Sequence, residues 1–297
     1  HNLLMVGPPG SGKSMIAKRI PTIFPALTRE ESLRITKVYS VAGMIKSEQP
    51  LVMERPFREV NQTVTKAALL GGGAWPKPGE LTLASGGVLF LDELAEFKRS
   101  VLEVLRQPLE EREVRIVRNH GVIIYPADVM LVAAMNPCPC GYFSDLNKCT
   151  CTISQIRQYQ AKISYPFLGR MDICAEVQGV AYEDLEREEL TESSAAIRRR
   201  IEKARKRQMD RAENGEFVYN AELSGERLLR DCELGRTEKR MMRQAYDRFS
   251  LNARTYHKVL KVARTIADLE GEERIGIEHL QEALVYRSMD KKYWGRV

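Results

Sequence analysis

One loop motif constrains this chain more than any other feature. It is the segment Gly7-Pro8-Pro9-Gly10-Ser11-Gly12-Lys13-Ser14, which has the G-x-x-x-x-G-K-[ST] spacing of a phosphate-binding loop. The apolar run Leu3–Val6 before it predicts a buried strand, and residues 15–20 after it predict the start of a helix. Glycines let backbone N–H groups surround an anion, and a helix N-terminus adds partial positive charge. We therefore expect the loop to bind ATP, with Lys13 at the β- and γ-phosphates and Ser14 on Mg²⁺.

Two carboxylates follow another strongly apolar run. Val88–Leu91 predicts a buried parallel strand, and Asp92 and Glu93 come directly after it. Because ligands lie beyond the carboxyl ends of strands in an open α/β sheet, we expect Asp92 to hold Mg²⁺ and Glu93 to activate water as general base. Adjacent residues of a strand point to opposite faces, so the two roles should differ. The alternative is an acidic pair that caps the next helix. The phosphate loop upstream favours ATP hydrolysis.

A polar side chain also ends the next predicted strand. Residues 129–133 are strand-like, and the apolar run continues to Met135, directly before Asn136. An amide at the tip of a strand beside the acidic pair can hold the attacking water or contact the γ-phosphate. The alternative is a turn-forming asparagine before Pro137.

Two arginines occupy positions of interest. Proline and glycine predict a loop over residues 165–172 that can expose Arg170 at an edge, where it could stabilise the γ-phosphate of a neighbour. The default alternative for Arg170 is a surface salt bridge. Arg254 opens a predicted helix over residues 256–269.

The order of apolar runs predicts an α/β fold with a parallel sheet flanked by helices. The candidate strands are residues 3–6, 88–91, 129–133 and 173–177. After about residue 178 these runs stop, and the pattern predicts a long helix over 184–208, a turn near 214–215 and shorter helices that begin near Ser224 and Gly276. We expect a nucleotide-binding core at 1–178 and a linker helix with a helical domain at 179–297. The basic run at 198–211 favours a solvated helix face over a nucleic-acid contact.

Charge and hydropathy limit the partners and the location that we expect for the protein. The chain has 297 residues and a formal net charge of +6, which permits nucleic-acid binding without requiring it. No apolar run approaches the ~20 residues of a membrane span, and no signal peptide is recognisable, so we expect a cytoplasmic protein without a membrane partner. The chain begins at His1, almost inside its first strand, and we expect natural sequence to precede it.

Four of the six cysteines form two close pairs. They are Cys138 and Cys140, followed by Cys149 and Cys151. Four thiolates on a short loop can form a tetrahedral Zn²⁺ site, and disulfides are rare in a reducing cytosol. Structural zinc is the favoured interpretation. Unmetallated thiols remain an alternative, since C-x-C is a less typical spacing than C-x-x-C, and disulfides are a weaker one.

Two segments look suited to contact a nucleic-acid backbone. Residues 111–125 predict a hairpin that turns at residues 119–121, and residues 55–81 form a glycine-rich insert with Trp75 and little core-like periodicity. Their candidate DNA-contacting side chains are Arg112, Arg115, Arg118, His120 and Lys77. The alternative is an ordinary surface hairpin and an ordinary surface loop.

Together the motifs resemble one family, the magnesium chelatase-like AAA+ ATPases of the bacterial competence protein ComM type. The resemblance covers essentially the whole chain. Its most specific matches beyond the cysteine pairs are residues 7–14, 69–73, 78–80, 87–94, 102–110, 125–142, 262–269 and 286–294. This family implies a P-loop AAA+ core followed by a small helical lid, assembly into a hexameric ring, and DNA branch migration driven by ATP during natural transformation.

The resemblance also implies roles for single residues. Asn136 matches sensor 1, Arg170 matches an arginine finger that acts on a neighbouring subunit, and Arg254 matches sensor 2. The hairpin at 111–125 matches the pre-sensor-1 hairpin, and residues 55–81 match the helix-2 insert, both of which face the pore. Full-length members carry an N-terminal Lon-protease-like domain, which agrees with the expectation of missing sequence.

One segment departs from the family pattern. After Arg55-Pro56-Phe57-Arg58 the family usually has Ser-Pro-His-His-Thr, whereas this chain has Glu59-Val60-Asn61-Gln62-Thr63. The loss of the paired histidines puts their role in this insert in doubt. Two further functions therefore stay open beside the DNA motor: a chelatase-like ATPase subunit, and a protein-remodelling switch that does not bind nucleic acid.

Overall fold

The computed structural model describes residues 1–45, 47–73, 76–118, 121–143, 145, 147–179, 192–212 and 219–294. The chain divides into two compact units. The first comprises Asn2–Met171 and Glu176–Arg187, and the second comprises His1, Asp172–Ala175 and Glu188–Val297. In the described part of the chain, no helix combines the length and the apolar character needed to cross a membrane.

A five-stranded sheet organises the α/β part of the chain. The described residues form the strands β1 (Leu3–Val6), β2 (Phe57–Val60), β3 (Gly71–Gly72), β4 (Lys77–Pro78), β5 (Val88–Leu91), β6 (Glu113–Arg118), β7 (Gly121–Pro126), β8 (Met130–Met135) and β9 (Ile173–Glu176). Five of them belong to the central sheet, while β3 pairs with β4 and β6 pairs with β7 in two separate sheets. The central sheet has the order β2-β5-β8-β1-β9, and its β2/β5, β5/β8 and β8/β1 pairs are parallel. The predicted fold class is therefore confirmed.

Helices lie between these strands. They are α1 (Lys13–Ile23), α2 (Arg29–Val41), α3 (Lys66–Leu70), α4 (Glu80–Leu83), α5 (Arg99–Val104), α6 (Pro108–Glu111), α7 (Ile153–Gln160) and α8 (Tyr165–Leu168), with a 3₁₀ turn at Leu94–Glu96. Helices α2 and α7 begin with capping boxes, in which Thr28 and Thr152 accept from the backbone three residues later.

Burial explains why the apolar runs form strands. All four residues of β5 are fully buried, because a central parallel strand is covered on both faces. Phe90 stacks on Phe57 of β2 with ring centroids 5.9 Å apart. The strands predicted at 3–6 and 88–91 have the observed bounds, whereas the one predicted at 129–133 continues to Met135 and the one at 173–177 ends at Glu176.

The structure differs from the expectation that all of residues 55–81 project outward. Phe57–Val60 is an edge strand of the central sheet, and both Leu69 and Leu81 are fully buried. Strand β2 has only four residues and a charged centre, Arg58-Glu59, so the sequence lacks the continuous apolar run that marked the other strands. Its pairing with β5 depends on Phe57 packing and on main-chain hydrogen bonds, which local periodicity does not indicate.

The predicted hairpin is present as an antiparallel pair. Strand β6 pairs with β7 from Glu113 opposite Pro126 to Arg118 opposite Gly121. Two residues of its predicted turn, Asn119 and His120, lie outside the described residues. Trp75 of the insert also lies outside them.

From residue 192 onward, the described part of the second unit is helical. Its helices are α9 (Ser194–Asp210), α10 (Gly225–Asp231), α11 (Arg236–Arg248), α12 (Ala253–Glu270) and α13 (Ile277–Trp294), with a 3₁₀ turn at Asn220–Glu222. Apolar residues of α12 and α13, among them Val259, Ala263 and Leu280, form its core. The helix starts predicted near Ser224 and Gly276 are confirmed, whereas residues 184–191 of the predicted long helix and the turn at 214–215 lie outside the described residues.

A buried ion pair stabilises this helical part of the chain. Arg211 donates twice to Asp268, at 2.6 Å each, and Arg264 lies 3.2 Å from the same carboxylate. The Asp268 side chain is fully buried, so it needs both guanidinium groups to offset its desolvation. Arg211 belongs to the basic run 198–211, and at this position the charge serves the interior rather than a solvated face.

Candidate nucleotide site and cysteine cluster

The phosphate loop connects β1 to α1. The backbone N–H of Gly7 donates to the carbonyl of Met135, which ties the start of the loop to β8 at 3.2 Å. Helix α1 begins at Lys13, and its N-cap residue Gly12 has a φ of 82°. An L side chain rarely adopts this left-handed conformation, so glycine suits the tight entry into the helix. The first N–H groups of α1 therefore lie at the loop, as anion binding requires.

The Lys13 ammonium is held at the centre of this loop. It donates to the carbonyls of Gly7 and Pro8, at 2.8 Å each, and lies 3.3 Å from both Ser11 Oγ and Asn136 Oδ1. Burial lowers the pKa of Lys13, and the charge of Asp92 opposes this shift. The predicted lysine and the predicted sensor asparagine thus share one site, although they are 123 residues apart in sequence.

Asp92 and Ser14 form the second contact of the site. Ser14 Oγ donates to Asp92 Oδ2 at 2.5 Å. Asp92 follows β5 directly, and β5 lies beside β8, whose end leads to Asn136. Hydroxyl and carboxylate oxygens are the ligands that Mg²⁺ prefers, so this pair fits an ATP-bound magnesium ion.

Glu93 lies beyond the strand instead of on it. Strand β5 ends at Leu91, and Glu93 has a left-handed backbone with φ 50° and ψ 48°. Its N–H donates to Asp92 Oδ1 at 2.9 Å. The expectation that the two carboxylates would occupy opposite faces of a strand is therefore wrong. Because Glu93 lies in a turn after the strand, its side chain is exposed to solvent. Left-handed non-glycine residues cost energy and often mark functional sites.

An open pocket of about 400 Å³ adjoins the loop. It is lined by Ser14, Met15, Lys18 and Arg19 of helix α1. The last three residues were not among the predicted site residues. The spacing of Ser14 and Lys18 could have indicated that Lys18 borders the site, because residues four apart lie on one face of a helix.

Arg170 is less accessible than its proline- and glycine-containing loop suggested. Its side chain is 11% exposed and donates to the Glu110 carboxylate at 2.5 Å and to the Arg106 carbonyl at 3.2 Å. The expectation of an exposed arginine is wrong for the chain by itself, because the guanidinium packs against residues about 60 positions away. Its role toward a neighbouring subunit stays a prediction.

Arg254 is the second residue of α12 in the helical unit. Asn252 caps this helix by accepting from the N–H of Thr255 at 2.9 Å. The predicted helix opening at this point is therefore present. The sensor 2 role of Arg254 stays a prediction.

The four clustered cysteines meet in the fold. All four sulfur atoms lie within 4.8 Å of one another, and none of them is in a disulfide. Cys138 Sγ lies 3.3 Å from Cys140 Sγ and 3.9 Å from Cys149 Sγ, and the last two are 3.7 Å apart. A tetrahedral Zn²⁺ site with Zn–S bonds of about 2.3 Å has sulfur–sulfur separations of about 3.8 Å. The set therefore has the chemistry and size of a zinc site.

Backbone groups already polarise this cluster. The N–H of Phe143 donates to Cys138 Sγ at 3.2 Å, and the N–H of Cys140 donates to Cys151 Sγ at 3.4 Å. Burial raises the pKa of Cys138 to about 12. Burial would also raise the pKa of Cys140, but backbone hydrogen bonds near Tyr142 and Thr150 lower it to about 6. One thiol of the cluster thus ionises readily, and a cation would stabilise the remaining thiolates.

The basic side chains of the hairpin differ in how they are paired. Arg112 lies 2.7 Å from Asp128, and Arg115 lies 2.5 Å from Glu113. Arg118 donates to the carbonyls of Gly73 and Val117 at 3.2 and 2.8 Å. In the described part of the chain, no carboxylate forms an ion pair with Arg118. Lys77 is exposed in β4, and His120 lies outside the described residues.

The hairpin also exposes apolar side chains. They are Val117, Val122, Ile123 and Ile124, with exposures of 67, 58, 37 and 54%. Such a patch is typical of a surface that contacts another molecule.

Comparison with known proteins identifies relatives along the whole chain. The family described as magnesium chelatase, subunit ChlI, matches residues 1–185, and its C-terminal counterpart matches residues 191–287. Competence protein ComM of Haemophilus influenzae is 42% identical over 97% of this chain. Uncharacterized proteins YifB of Salmonella typhimurium and Escherichia coli are each 39% identical over 98% of it. The chain spans 56% of the length of each of these three relatives.

The geometry of Lys13 generates the first prediction. The change Lys13→Ala should weaken binding of a fluorescent ATP analogue by about 100-fold, because a charge-assisted contact worth about 2.7 kcal/mol is lost. The measurement is a fluorescence titration with Mg²⁺ present. Lys37→Ala, which removes an exposed lysine of α2, should leave affinity unchanged. Unaltered binding by the Lys13 variant would contradict the site assignment.

Proposed function

The chain belongs to the magnesium chelatase ChlI-type AAA+ family, and on this premise we propose that it hydrolyses ATP as part of a motor that acts on DNA. One observation carries the proposal: Lys13, Ser14, Asp92 and Asn136 meet at the carboxyl edge of the parallel sheet. These are the side chains that phosphoryl transfer needs for charge stabilisation and for placing a metal ion.

We assign ATP binding to the phosphate loop and to the contact between Ser14 and Asp92. Backbone N–H groups at the start of α1 and the Lys13 ammonium neutralise the phosphate charge. Ser14 and Asp92 hold Mg²⁺, since their oxygens are already adjacent. When bound, the ion stabilises negative charge on the phosphate oxygens. Met15, Lys18 and Arg19 border the open side of the site, where the rest of the nucleotide has room.

Water activation is assigned to Glu93 and Asn136. The exposed Glu93 carboxylate follows Asp92 and can accept a proton from a water that Asn136 orients. The left-handed backbone of Glu93 supports this role, because it keeps the side chain of Glu93 out of the contact that Asp92 makes with Ser14.

The active form is proposed to be a homo-oligomeric ring, in keeping with the hexamer that the family resemblance implies. Arg170 of one subunit would stabilise the γ-phosphate bound to the next, and Arg254 would serve as sensor 2. In the single chain the Arg170 guanidinium pairs with Glu110, and in the ring the phosphate would replace this carboxylate as its partner.

DNA is the proposed partner of the hairpin β6/β7. Arg118, without an ion-paired carboxylate in the described chain, and the exposed Lys77 suit contacts to phosphate groups. Arg112 and Arg115 add positive charge once their carboxylate partners are displaced. The relative with the highest identity quoted above is named a competence protein, which supports a role of this chain in recombination or natural transformation, in the cytoplasm.

Zinc is the proposed ion of the cysteine cluster. Cys138, Cys140, Cys149 and Cys151 supply four sulfur ligands at fitting separations. The ion would carry no chemistry of the ATPase reaction and would serve the structure of the loop.

A chelatase-like or protein-remodelling ATPase is the second candidate. Both matched family descriptions name a magnesium chelatase subunit. In addition, two of the hairpin arginines are compensated by carboxylates, and the hairpin exposes aliphatic side chains suited to a protein surface. Nucleotide turnover in this case would not respond to DNA.

The role of Glu93 leads to a prediction about kcat. Glu93→Gln should retain nucleotide affinity and lower steady-state ATP turnover by at least about 100-fold, because the amide cannot take the proton from water. Glu96→Gln, an exposed carboxylate one turn further along, is the control and should keep normal turnover. Rapid hydrolysis by the Glu93 variant would remove this residue as general base.

The role of Arg170 leads to a mixing experiment. Arg170→Ala and Lys13→Ala should each be inactive alone, yet an equal mixture should regain turnover at about one quarter of its sites, where an intact loop meets an intact arginine. Glu110→Gln tests whether the ion pair is only structural, and this variant should stay active. An inactive mixture together with an inactive Glu110 variant would show that Arg170 acts within its own subunit.

The DNA proposal leads to a salt-dependence measurement. ATP turnover should rise with single-stranded or forked DNA, and this stimulation should fall steeply with salt. Arg118→Gln should reduce the slope of log affinity against log salt by about 1, whereas Arg34→Gln, on the exposed face of α2, should not change it. Turnover that is indifferent to DNA at every salt concentration would favour the remodelling function.

A further inference from the structure

We propose that the cysteine cluster, with zinc bound, positions the phosphate loop and thereby sets nucleotide affinity. This inference rests on the zinc and ATP sites proposed above. The link is a contact between Gly141 and Pro9, together with the short connection from Cys138 to Asn136. Metal content and nucleotide binding would then be coupled properties of one region.

The first link is a tight contact between the cluster and the phosphate loop. Gly141 is buried and has a φ of 89°, and a Cβ at this position would lie 2.4 Å from Cδ of Pro9. Pro9 is the third residue of the phosphate loop. Gly141 directly follows Cys140, and its N–H donates to the carbonyl of Cys138 at 3.0 Å. The turn that carries two of the thiols therefore packs directly on the loop that binds phosphate.

The second link runs through the end of strand β8. Met135 accepts from the N–H of Gly7, Asn136 lies beside Lys13, and Cys138 comes two residues later. Cys138 is completely buried. A displacement of Cys138 would therefore be transmitted to the asparagine that contacts the lysine, because only Pro137 separates the two residues.

The third link anchors the far side of the cluster. Helix α7 begins two residues after Cys151, with Thr152 as its N-cap. At the other end of α7, Gln160 donates to the carbonyl of Pro137 at 3.0 Å. The cluster thus closes a loop between two ordered elements, strand β8 and helix α7. One ion bound by four thiolates would hold the Gly141 turn against Pro9 in a single position.

The first experiment removes the metal ligands. The double variant Cys149→Ser, Cys151→Ser should contain less than about 0.1 zinc per chain by elemental analysis. Its affinity for a fluorescent ATP analogue should fall by about 10-fold, since the loop is no longer held. The control Cys232→Ser changes a buried cysteine of the helical core and should alter neither property.

The second experiment changes the contact and keeps the ligands. Gly141→Ala should retain zinc and lower nucleotide affinity by about 10-fold, because the new methyl group displaces Pro9. Gly43→Ala is a matched control: Gly43 also has a positive φ, of 72°, but a Cβ there meets nothing within 4 Å. Melting temperatures of all variants, measured without nucleotide, separate loop displacement from unfolding.

The outcomes are distinct. A wild-type chain without zinc overturns the inference together with the proposed metal site. Zinc in the wild type, with normal nucleotide affinity in the double cysteine variant, overturns the coupling alone and leaves the metal site standing. A Gly141 variant that binds nucleotide as tightly as the Gly43 variant also overturns it. Loss of affinity in both test variants, with retained zinc in Gly141→Ala and normal controls, supports it.

Discussion

The parallel pairing of β5 with β8 and of β8 with β1 is the constraint on which the site depends. The register sets Leu91 opposite Ala133 and Val6 opposite Met135, so the three strands end along one edge. Parallel strands bring together the residues that follow their carboxyl ends. Asp92, Asn136 and Gly7 therefore converge, although they are far apart in the chain. The buried apolar faces of the strands stabilise this arrangement, and the polar site is built beyond them.

Electrostatics within the site follow from this convergence. Lys13 is desolvated and contacts backbone carbonyls and Asn136, while Asp92 lies close enough to favour its charged form. A cation held in this way attracts phosphate strongly, since fewer water molecules screen it. The hairpin shows the opposite balance, because Arg112 and Arg115 are offset by neighbouring carboxylates. The nucleotide site is thus arranged to bind anions. In the hairpin, by contrast, Arg112 and Arg115 can bind phosphate only after their carboxylate partners are displaced.

The cysteine cluster packs beside the phosphate loop at the same edge of the sheet. The phosphate loop contains two prolines and three glycines, and its conformation depends on what packs beside it. Gly141 supplies such a neighbour by contacting Pro9, and Cys138 Sγ and Cys151 Sγ accept from backbone N–H groups on either side of Gly141. The proposed coupling would add the cysteine cluster to the sheet as a support of the phosphate loop.

Elements whose signal is local could be predicted from the order of the amino acids. The phosphate loop, the strand before Asp92, the hairpin and the four-cysteine set were all recognisable, because each is carried by a short spacing or a continuous apolar run. The fold was needed to show that Phe57–Val60 completes the sheet, that Arg170 pairs with Glu110, and that Glu93 adopts a left-handed turn. These features depend on contacts between distant residues or on the path of the chain after a strand. Local periodicity does not predict them, because each is stabilised by contacts with residues that become neighbours only in the folded chain.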